Sequence, residues 1–187
     1  MPDIAIIGEK TFLFEKLLEE AGRDHSFVKP EVLGSPFLPR FRMVVIPTGF
    51  ANPQYSKTLP ALKACKSKIA EFLKRGGIVT VFGPLVPEHE YDWLPLPLKY
   101  VGDYGSTDLV PASDHPCSCL FGAKTAECDG YLVPGEGFET ILKDAIGRAV
   151  LAVGRYGRGK IVATTIHEFP SAEYLCWGAG EGEPAKI

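Results

Sequence analysis

The chain has 187 residues, of which 45% are hydrophobic, and its 20 Lys and Arg residues are nearly balanced by 23 Asp and Glu residues. This length and apolar content indicate one compact globular domain and exclude a disordered, low-complexity chain. A formal net charge of −3 provides no overall positive field for nucleic acid or an anionic membrane, so neither partner is expected.

The cysteines and the N-terminal residues bear on the compartment. Five cysteines are spread along the chain without the regular spacing of a disulfide framework, which favours reduced thiols. The first residues do not have the pattern of a signal peptide, and no apolar run approaches the roughly 20 residues of a membrane span. We therefore expect a cytoplasmic protein.

Short apolar runs in the first half of the chain predict strands. They occupy residues 4–7, 43–46 and 78–82, and residues 26–29 predict one more. The first three are apolar almost throughout, which is typical of strands buried on both faces. Because predicted helices separate these strands, the pattern indicates a parallel sheet covered on both faces.

Helices are predicted by apolar residues that recur every three or four positions. One helix covers residues 14–21 and ends at Gly22, which is placed as its C-cap. A second begins near Pro60 and ends at Gly76, and an amphipathic segment covers residues 171–177.

The second half of the chain has a different pattern. Residues 85–134 are rich in proline and aromatic residues and lack a long periodic segment, so loops and short strands are expected there. Apolar runs at 149–153 and 161–166 predict two strands, joined by a glycine-rich hairpin turn. We expect a single α/β domain over residues 1–177, followed by a Gly/Glu-rich tail at 178–187.

Three segments together have the pattern of a known family. Residues 72–83 read FLKRGGIVTVFG, residues 114–116 read Asp-His-Pro, and residues 149–162 form the hairpin with its Tyr-Gly-Arg-Gly turn. Over most of residues 3–175, the chain resembles the class I glutamine amidotransferase-like superfamily, especially its trehalose-utilisation-like and β-galactosidase-trimerisation-like branches. The resemblance implies a flavodoxin-like, doubly wound, mostly parallel sheet with helices on both faces and a C-terminal antiparallel hairpin.

The catalytic residues of the true amidotransferases are only partly matched. Those enzymes place a Cys in a sharp turn after a central strand, and a His and a Glu after a late strand to activate and orient it. His167 and Glu168 occupy the late position, although they are adjacent. Gly83 lies in the turn, and there is neither Cys nor Ser between Val81 and Asp92. Glutaminase chemistry is therefore not expected.

Ligands of open parallel sheets bind beyond the carboxyl ends of the strands. The candidate ligand-binding residues are Glu9, Thr48, Gly49, Gly83, His167 and Glu168. Glycines there allow backbone N–H groups to approach a ligand, and His167 and Glu168 supply hydrogen bonds or acid–base chemistry. In the plainer interpretation the glycines only turn the chain and His167 ends a strand.

A second cluster of chemically reactive residues lies further along the chain. It consists of His115, Cys117, Cys119 and Cys128, residue types that zinc prefers. Their spacing is not that of paired-cysteine zinc sites, and the resemblance places residues 114–116 in a turn without metal. We expect no metal and no cofactor.

These observations leave three functional hypotheses. The leading one is an amidotransferase-like domain without glutaminase activity that binds a small ligand or a protein partner at the strand ends, as a monomer or a homo-oligomer. The alternative is a small-molecule hydrolase or transferase, carbohydrate-related in one version, that uses His167 and Glu168. The third is an assembly domain whose aromatic segment 85–100 forms a subunit interface.

Overall fold

The computed structural model describes residues 3–8, 12–167 and 169–187. It contains an eleven-stranded sheet and, within these residues, four α-helices. The strands are β1 Ile4–Ile7, β2 His25–Val28, β3 Met43–Ile46, β4 Ile78–Val81, β5 Glu88–Glu90, β6 Leu98–Asp108, β7 Val110–Pro111, β8 Thr125–Pro134, β9 Phe138–Lys143, β10 Ala149–Tyr156 and β11 Gly159–Thr164. The helices are α1 Phe12–Glu20, α2 Thr58–Ala64, α3 Lys66–Lys74 and α4 Ala172–Glu181. No helix among the described residues is long and apolar enough to cross a lipid bilayer.

Five strands form a parallel half of the sheet, in the spatial order β2-β1-β3-β4-β11. Strands β1, β3 and β4 are buried at every position, as their apolar runs predict. Val81, at the end of β4, pairs with Ile46 of β3 on one side and with Ala163 of β11 on the other. The loops that follow these strands therefore share one edge of the sheet.

The other six strands form an antiparallel half. Strand β10 pairs with β11 as the predicted hairpin, and the sheet continues through β8 and β6 to β5, while β9 pairs with β10 and β7. The part of the chain described between Lys74 and Ala172 contains no α-helix. The prediction of a flavodoxin-like, doubly wound, mostly parallel sheet with helices on both faces is therefore wrong. The sheet is mixed and strongly curled.

Apart from β10, the antiparallel half was predicted only as loops and short strands, because its two longest strands, β6 and β8, lack a continuous apolar pattern. Strand β6 is largely exposed beyond Val101, and β8 carries Asp129 and Gly130 within its buried stretch. The two strands nevertheless pair from Leu98–Pro134 to Asp108–Thr125, with one register shift. Backbone pairing between distant segments forms these strands, and a local hydrophobic pattern does not encode it.

An antiparallel bridge joins the two halves just beyond the end of β11. Cys128 of β8 pairs with Ile166, and both side chains are buried in the same apolar cluster. Two backbone hydrogen bonds flank this bridge, each 2.8 Å long: from Asp129 N–H to Thr165 O, and from His167 N–H to Glu127 O. Because side chains alternate along a strand, Asp129 and His167 project together from the opposite face.

The end of the first helix follows the prediction, whereas the second and third predicted helices differ from it. Helix α1 is followed by Gly22 at φ 61°, and the N–H of Arg23 donates to the carbonyl of Leu18 at 3.1 Å, as in a Schellman motif. The single helix predicted from Pro60 is instead divided into α2 and α3 at Cys65, which has φ −99° and ψ 13°. The Cys65 thiol donates to the carbonyl of Leu33 at 3.3 Å.

The amphipathic segment near the C-terminus forms α4. Ser171 is its N-cap, because the Ser171 hydroxyl accepts a 3.0 Å hydrogen bond from the N–H of Tyr174. The helix continues through Gly178 and Gly180 to Glu181, and Ala185 then pairs with Phe41. Residues of the glycine-rich segment therefore take part in the helix and in a bridge to the entry of β3.

Two glycines of α4 provide a matched test of this packing. A Cβ at Gly180 would meet no atom within 4 Å, so Gly180→Ala should raise the free energy of unfolding by about 0.5–1 kcal/mol through helix propensity. A Cβ at Gly178 would lie 2.6 Å from Sδ of the buried Met43, so Gly178→Ala should lower stability. Urea unfolding measures the stability of both variants. Equal changes in the free energy of unfolding would contradict the described packing of α4 against Met43 of β3.

Candidate functional site

Four loops lie beyond the carboxyl ends of parallel strands, at a side of the sheet that we call the carboxyl edge. The residues that follow these strands are Gly8 after β1, Thr48 and Gly49 after β3, Gly83 after β4 and His167 after β11. The candidates Thr48, Gly49, Gly83 and His167 are therefore placed at this edge. The other two candidates, Glu9 and Glu168, lie outside the described residues.

A backbone hydrogen bond connects the loops after β3 and β4. The N–H of Gly49, which has φ +86°, donates to the carbonyl of Gly83 at 2.8 Å. Two residues beyond Gly83, Leu85 has φ 54° and is the one non-glycine residue of positive φ in the described chain. The Asn52 side-chain amide donates to the Leu85 carbonyl at 3.0 Å. The turn after β4 is thus a strained conformation that its neighbours hold in place.

His167 is hydrogen-bonded to a carboxylate from the antiparallel half. Its Nδ1 lies 2.6 Å from Oδ1 of Asp129. The side chain of Asp129 is fully buried, whereas that of His167 is 48% exposed. The imidazole can therefore contact a ligand, while the carboxylate can only orient the imidazole and select its tautomer.

Two buried tyrosines surround Asp129. The hydroxyl of Tyr100 donates to the main-chain carbonyl of Asp129 at 2.8 Å. Burial, and secondarily the Asp129 carboxylate, raises the pKa of Tyr100. Burial also raises the pKa of Tyr91, with smaller contributions from Tyr100 and Asp129. Both hydroxyls consequently stay protonated at neutral pH.

Gly83 packs directly against the Asp129 carboxylate. A Cβ at residue 83 would overlap Oδ2 of Asp129 and would lie 3.1 Å from its Cβ. The resemblance described in the sequence analysis implies that this turn corresponds to the one that carries the nucleophile in the true amidotransferases. The carboxylate occupies the space that a side chain in this turn would require, so packing as well as sequence opposes a nucleophile at Gly83.

The sequence analysis named His167 as a candidate and did not name Asp129. Asp129 lies in a segment whose pattern predicts loops, and its proximity to His167 depends on the bridge between β8 and the end of β11. A signal was present, because a carboxylate stands between Cys128 and the apolar end of β8. A buried carboxylate in a strand needs a hydrogen-bonding partner, so Asp129 could have been recognised as one half of a pair.

The cluster of His115, Cys117, Cys119 and Cys128 has a structural explanation for its first two members, which form and cap a short turn. The 3₁₀ turn at Pro116–Leu120 is capped by His115, whose Nδ1 accepts a 3.1 Å hydrogen bond from the N–H of Cys117. Burial raises the pKa of the Cys117 thiol to about 12. Among the residues that the structure describes, no group of three or more His, Cys, Asp or Glu side chains could hold a metal ion.

The aromatic residues of the segment 85–100 are internal. Tyr91, Trp93 and Tyr100 are all buried. The ring of Phe50 packs at centroid distances of 6.0 Å from Tyr91 and 5.8 Å from Trp93. These rings therefore stabilise the core of this chain and do not present a surface to a partner subunit.

Comparisons with known proteins support the fold alone. The sequence matches no protein-family model, and no curated protein sequence is significantly similar to it. The structure is similar to the cytoplasmic protein STM1381 from Salmonella typhimurium LT2, with a TM-score of 0.60 at 14% identity over 96% of this chain and 99% of that chain. It is also similar to a glutamine amidotransferase from Thermotoga maritima, with a TM-score of 0.56 at 16% identity over 88% of this chain and 74% of the other.

A third similar structure is a larger enzyme. The β-galactosidase from Bacillus circulans sp. alkalophilus matches 96% of this chain with 31% of its own, at a TM-score of 0.54 and 12% identity. The chain thus has a fold that glutamine amidotransferase-like proteins share, and the same fold occurs as one part of a glycosidase.

The contact between Gly83 and Asp129 can be tested by substitution. Gly83→Ala should lower the free energy of unfolding by about 1–3 kcal/mol, because its Cβ would overlap the carboxylate. Gly122→Ala is the control, since a Cβ there would meet no atom within 4 Å. In an Asp129→Gly background the cost of Gly83→Ala should largely disappear. Equal costs in both backgrounds, measured by chemical denaturation, would contradict this packing.

The buried thiol of Cys117 yields a prediction about reactivity. Because burial raises its pKa to about 12, little thiolate is present at pH 8. Iodoacetamide should label Cys117 at least about a hundredfold more slowly in the folded protein than in urea, as followed by peptide mass spectrometry. Labelling of the folded protein at the rate found in urea would show that the thiol is accessible.

Proposed function

We propose that this chain binds a small ligand at the carboxyl edge, with His167 as the polar contact and Asp129 as the residue that positions it. The supporting observation is the 2.6 Å contact between a fully buried carboxylate and a half-exposed imidazole. This pairing presents one defined face of the imidazole to solvent. A histidine that merely ended a strand would not need a buried carboxylate to orient it.

The hydrogen bond defines what His167 offers to a ligand. With Nδ1–H donating to Asp129, the neutral imidazole has its lone pair on Nε2. That nitrogen can accept a hydrogen bond from a ligand O–H or N–H group. Asp129 cannot attack a ligand itself, because its side chain has no exposed surface.

The proposed domain is amidotransferase-like and lacks glutaminase activity. Its turn after β4 contains no thiol or hydroxyl nucleophile, and Gly83 is packed against Asp129. The similar β-galactosidase supports assignment to the trehalose-utilisation-like or β-galactosidase-trimerisation-like branches. The similar protein from Salmonella typhimurium LT2 is named as cytoplasmic, which supports a cytoplasmic location for this chain as well.

The second candidate function is a small-molecule hydrolase or transferase. It is favoured by the same His–Asp geometry, because a carboxylate-oriented imidazole is suited to removing a proton from water or from a substrate hydroxyl. Glu168 would be the second acid–base group in this mechanism. Turnover that is lost in both His167→Ala and His167→Gln, with ligand affinity kept in His167→Gln, would favour this function over binding alone.

A ligand screen tests the proposed site. Ligands of the native state raise the melting temperature by mass action, so compounds that stabilise the wild-type protein but not His167→Ala identify this site. His167→Ala removes a hydrogen-bond partner of the buried Asp129, so its basal melting temperature should fall by several degrees, and each ligand-induced shift is measured against the variant's own baseline. Ligands that stabilise both proteins equally would place binding elsewhere and contradict the proposal.

Glutamine hydrolysis provides an independent test. We expect no release of ammonia from L-glutamine above the buffer rate, because the turn after β4 has no nucleophile. A variant in which all five cysteines are replaced by Ala or Ser is the control. Glutaminase activity that persists in this variant would overturn the proposed absence of that chemistry.

A further inference from the structure

A cavity beside helix α3 is lined by basic side chains. Its volume is about 310 Å³, and its lining comes from the loop of residues 34–38, from α3 and from the segment that follows α4. None of the lining residues belongs to the loops of the carboxyl edge. The charged residues of the lining are Lys68, Glu71, Arg75 and Lys186. The cavity is therefore net positive in a chain whose formal net charge is −3.

Two of these cations have no carboxylate partner. Nε of Arg75 lies 2.8 Å from Oε1 of Glu71, one turn earlier on the same helix, so these two charges offset each other. By contrast, neither Lys68 nor Lys186 forms a salt bridge with any residue in the described part of the chain. Two unpaired ammonium groups thus line one cavity.

Main-chain carbonyls of the same loop hold both ammonium groups. Nζ of Lys68 donates to the carbonyl of Gly34, and Nζ of Lys186 donates to the carbonyls of Leu38 and, at 3.0 Å, of Pro36. A carbonyl oxygen accepts a hydrogen bond but does not neutralise the charge. Because an ammonium has three hydrogens, two on Lys68 and one on Lys186 remain for a ligand.

The loop that holds these groups is closely packed and hydrogen-bonded. Gly34 has φ +75°, and a Cβ there would lie 2.9 Å from both Cδ of Lys68 and Sγ of Cys65, so glycine allows the loop to approach α3. The N–H of Phe37 donates to Oγ of Ser35 at 3.3 Å, which leaves the hydroxyl hydrogen of Ser35 as a further donor in the lining. These donors are positioned before any ligand arrives, which lowers the entropic cost of binding.

We propose that this cavity binds a phosphate monoester, with its phosphate group between the ammonium groups of Lys68 and Lys186. Lysine binds phosphate as a point charge, and the two unpaired charges match the roughly two negative charges of a phosphate monoester at pH 8. A carboxylate ligand would offset only one of them. Pro36 and Ile187 also line the cavity and provide apolar surface for the organic part of the ester.

Isothermal titration calorimetry with phenyl phosphate, inorganic phosphate and benzoate, at pH 8 and constant ionic strength, tests the proposal. We expect phenyl phosphate to bind more tightly than the other two probes. Lys68→Met and Lys186→Met should each weaken its binding about tenfold, because each removes a charge-assisted contact. Lys66→Met is the matched control, since Lys66 is an exposed lysine of the same helix that does not line the cavity.

A second pair of variants separates binding from folding. Lys68 and Lys186 also hold the loop of residues 34–38, so their replacement by methionine could loosen it. Lys68→Arg and Lys186→Arg keep the positive charge and should keep phenyl phosphate affinity within about threefold of the wild type. Urea unfolding of all five variants reports whether each is folded at the temperature of the titration.

The possible outcomes distinguish the site from its ligand. Equal phenyl phosphate affinity in the wild type and in both folded methionine variants would overturn the site, as would the failure of every probe to bind. Inorganic phosphate that binds as tightly as phenyl phosphate would overturn the assignment to an ester, and benzoate that does so would overturn recognition by two charges. Because the cavity shares no residue with the carboxyl edge, each result leaves the proposed function to its own tests.

Discussion

The antiparallel bridge between Cys128 and Ile166 is the contact on which the candidate site depends. The parallel and antiparallel halves of the sheet already meet along β10 and β11, and this bridge holds β8 against the end of β11 as well. Burial of Cys128 and Ile166 on one face sends Asp129 and His167 to the other face. The site is therefore a consequence of how the two halves are joined, and a register shift of one residue would separate the pair.

Burial divides the chemical roles within the site. Asp129 is enclosed by Gly83, Tyr100 and its own backbone contacts, and an ionised carboxylate in such a place requires hydrogen-bonding partners. The partner that reaches solvent is His167. The carboxylate therefore stabilises one tautomer and orientation of the imidazole, while the imidazole is the member of the pair that is exposed to solvent. This division of roles favours recognition or proton transfer over covalent catalysis.

The turn after β4 brings the two parts of the candidate site together. It contains Gly83 and, two residues later, Leu85 in a left-handed conformation. Gly83 allows the Asp129 carboxylate to approach the backbone of the turn, which a residue with a side chain would prevent. The strained turn thus lies directly against the carboxylate that is hydrogen-bonded to His167.

Local patterns in the sequence were sufficient for the first part of the fold and for half of the central pair. The short strands that end at Ile46 and Val81 are evident from the sequence because a strand buried on both faces is apolar at nearly every position; Thr80 is the exception, and its hydroxyl is hydrogen-bonded to that of Tyr174. The cap at Gly22 follows from the conformational freedom of glycine, which takes φ 61° there. His167 was named as a candidate because it directly follows an apolar strand, and its role in the site stays a prediction.

Local sequence patterns were enough to predict the buried strands of the parallel half and the hairpin of β10 and β11, whereas the predicted doubly wound α/β arrangement was wrong. Only the tertiary structure decided that residues 88–156 form half of a curled, mixed sheet, and that Asp129 is the partner of His167. The physical reason is the range of the interactions. Apolar periodicity and glycine conformations act within a few residues, whereas the pairing of β8 with the end of β11 joins residues 38 positions apart.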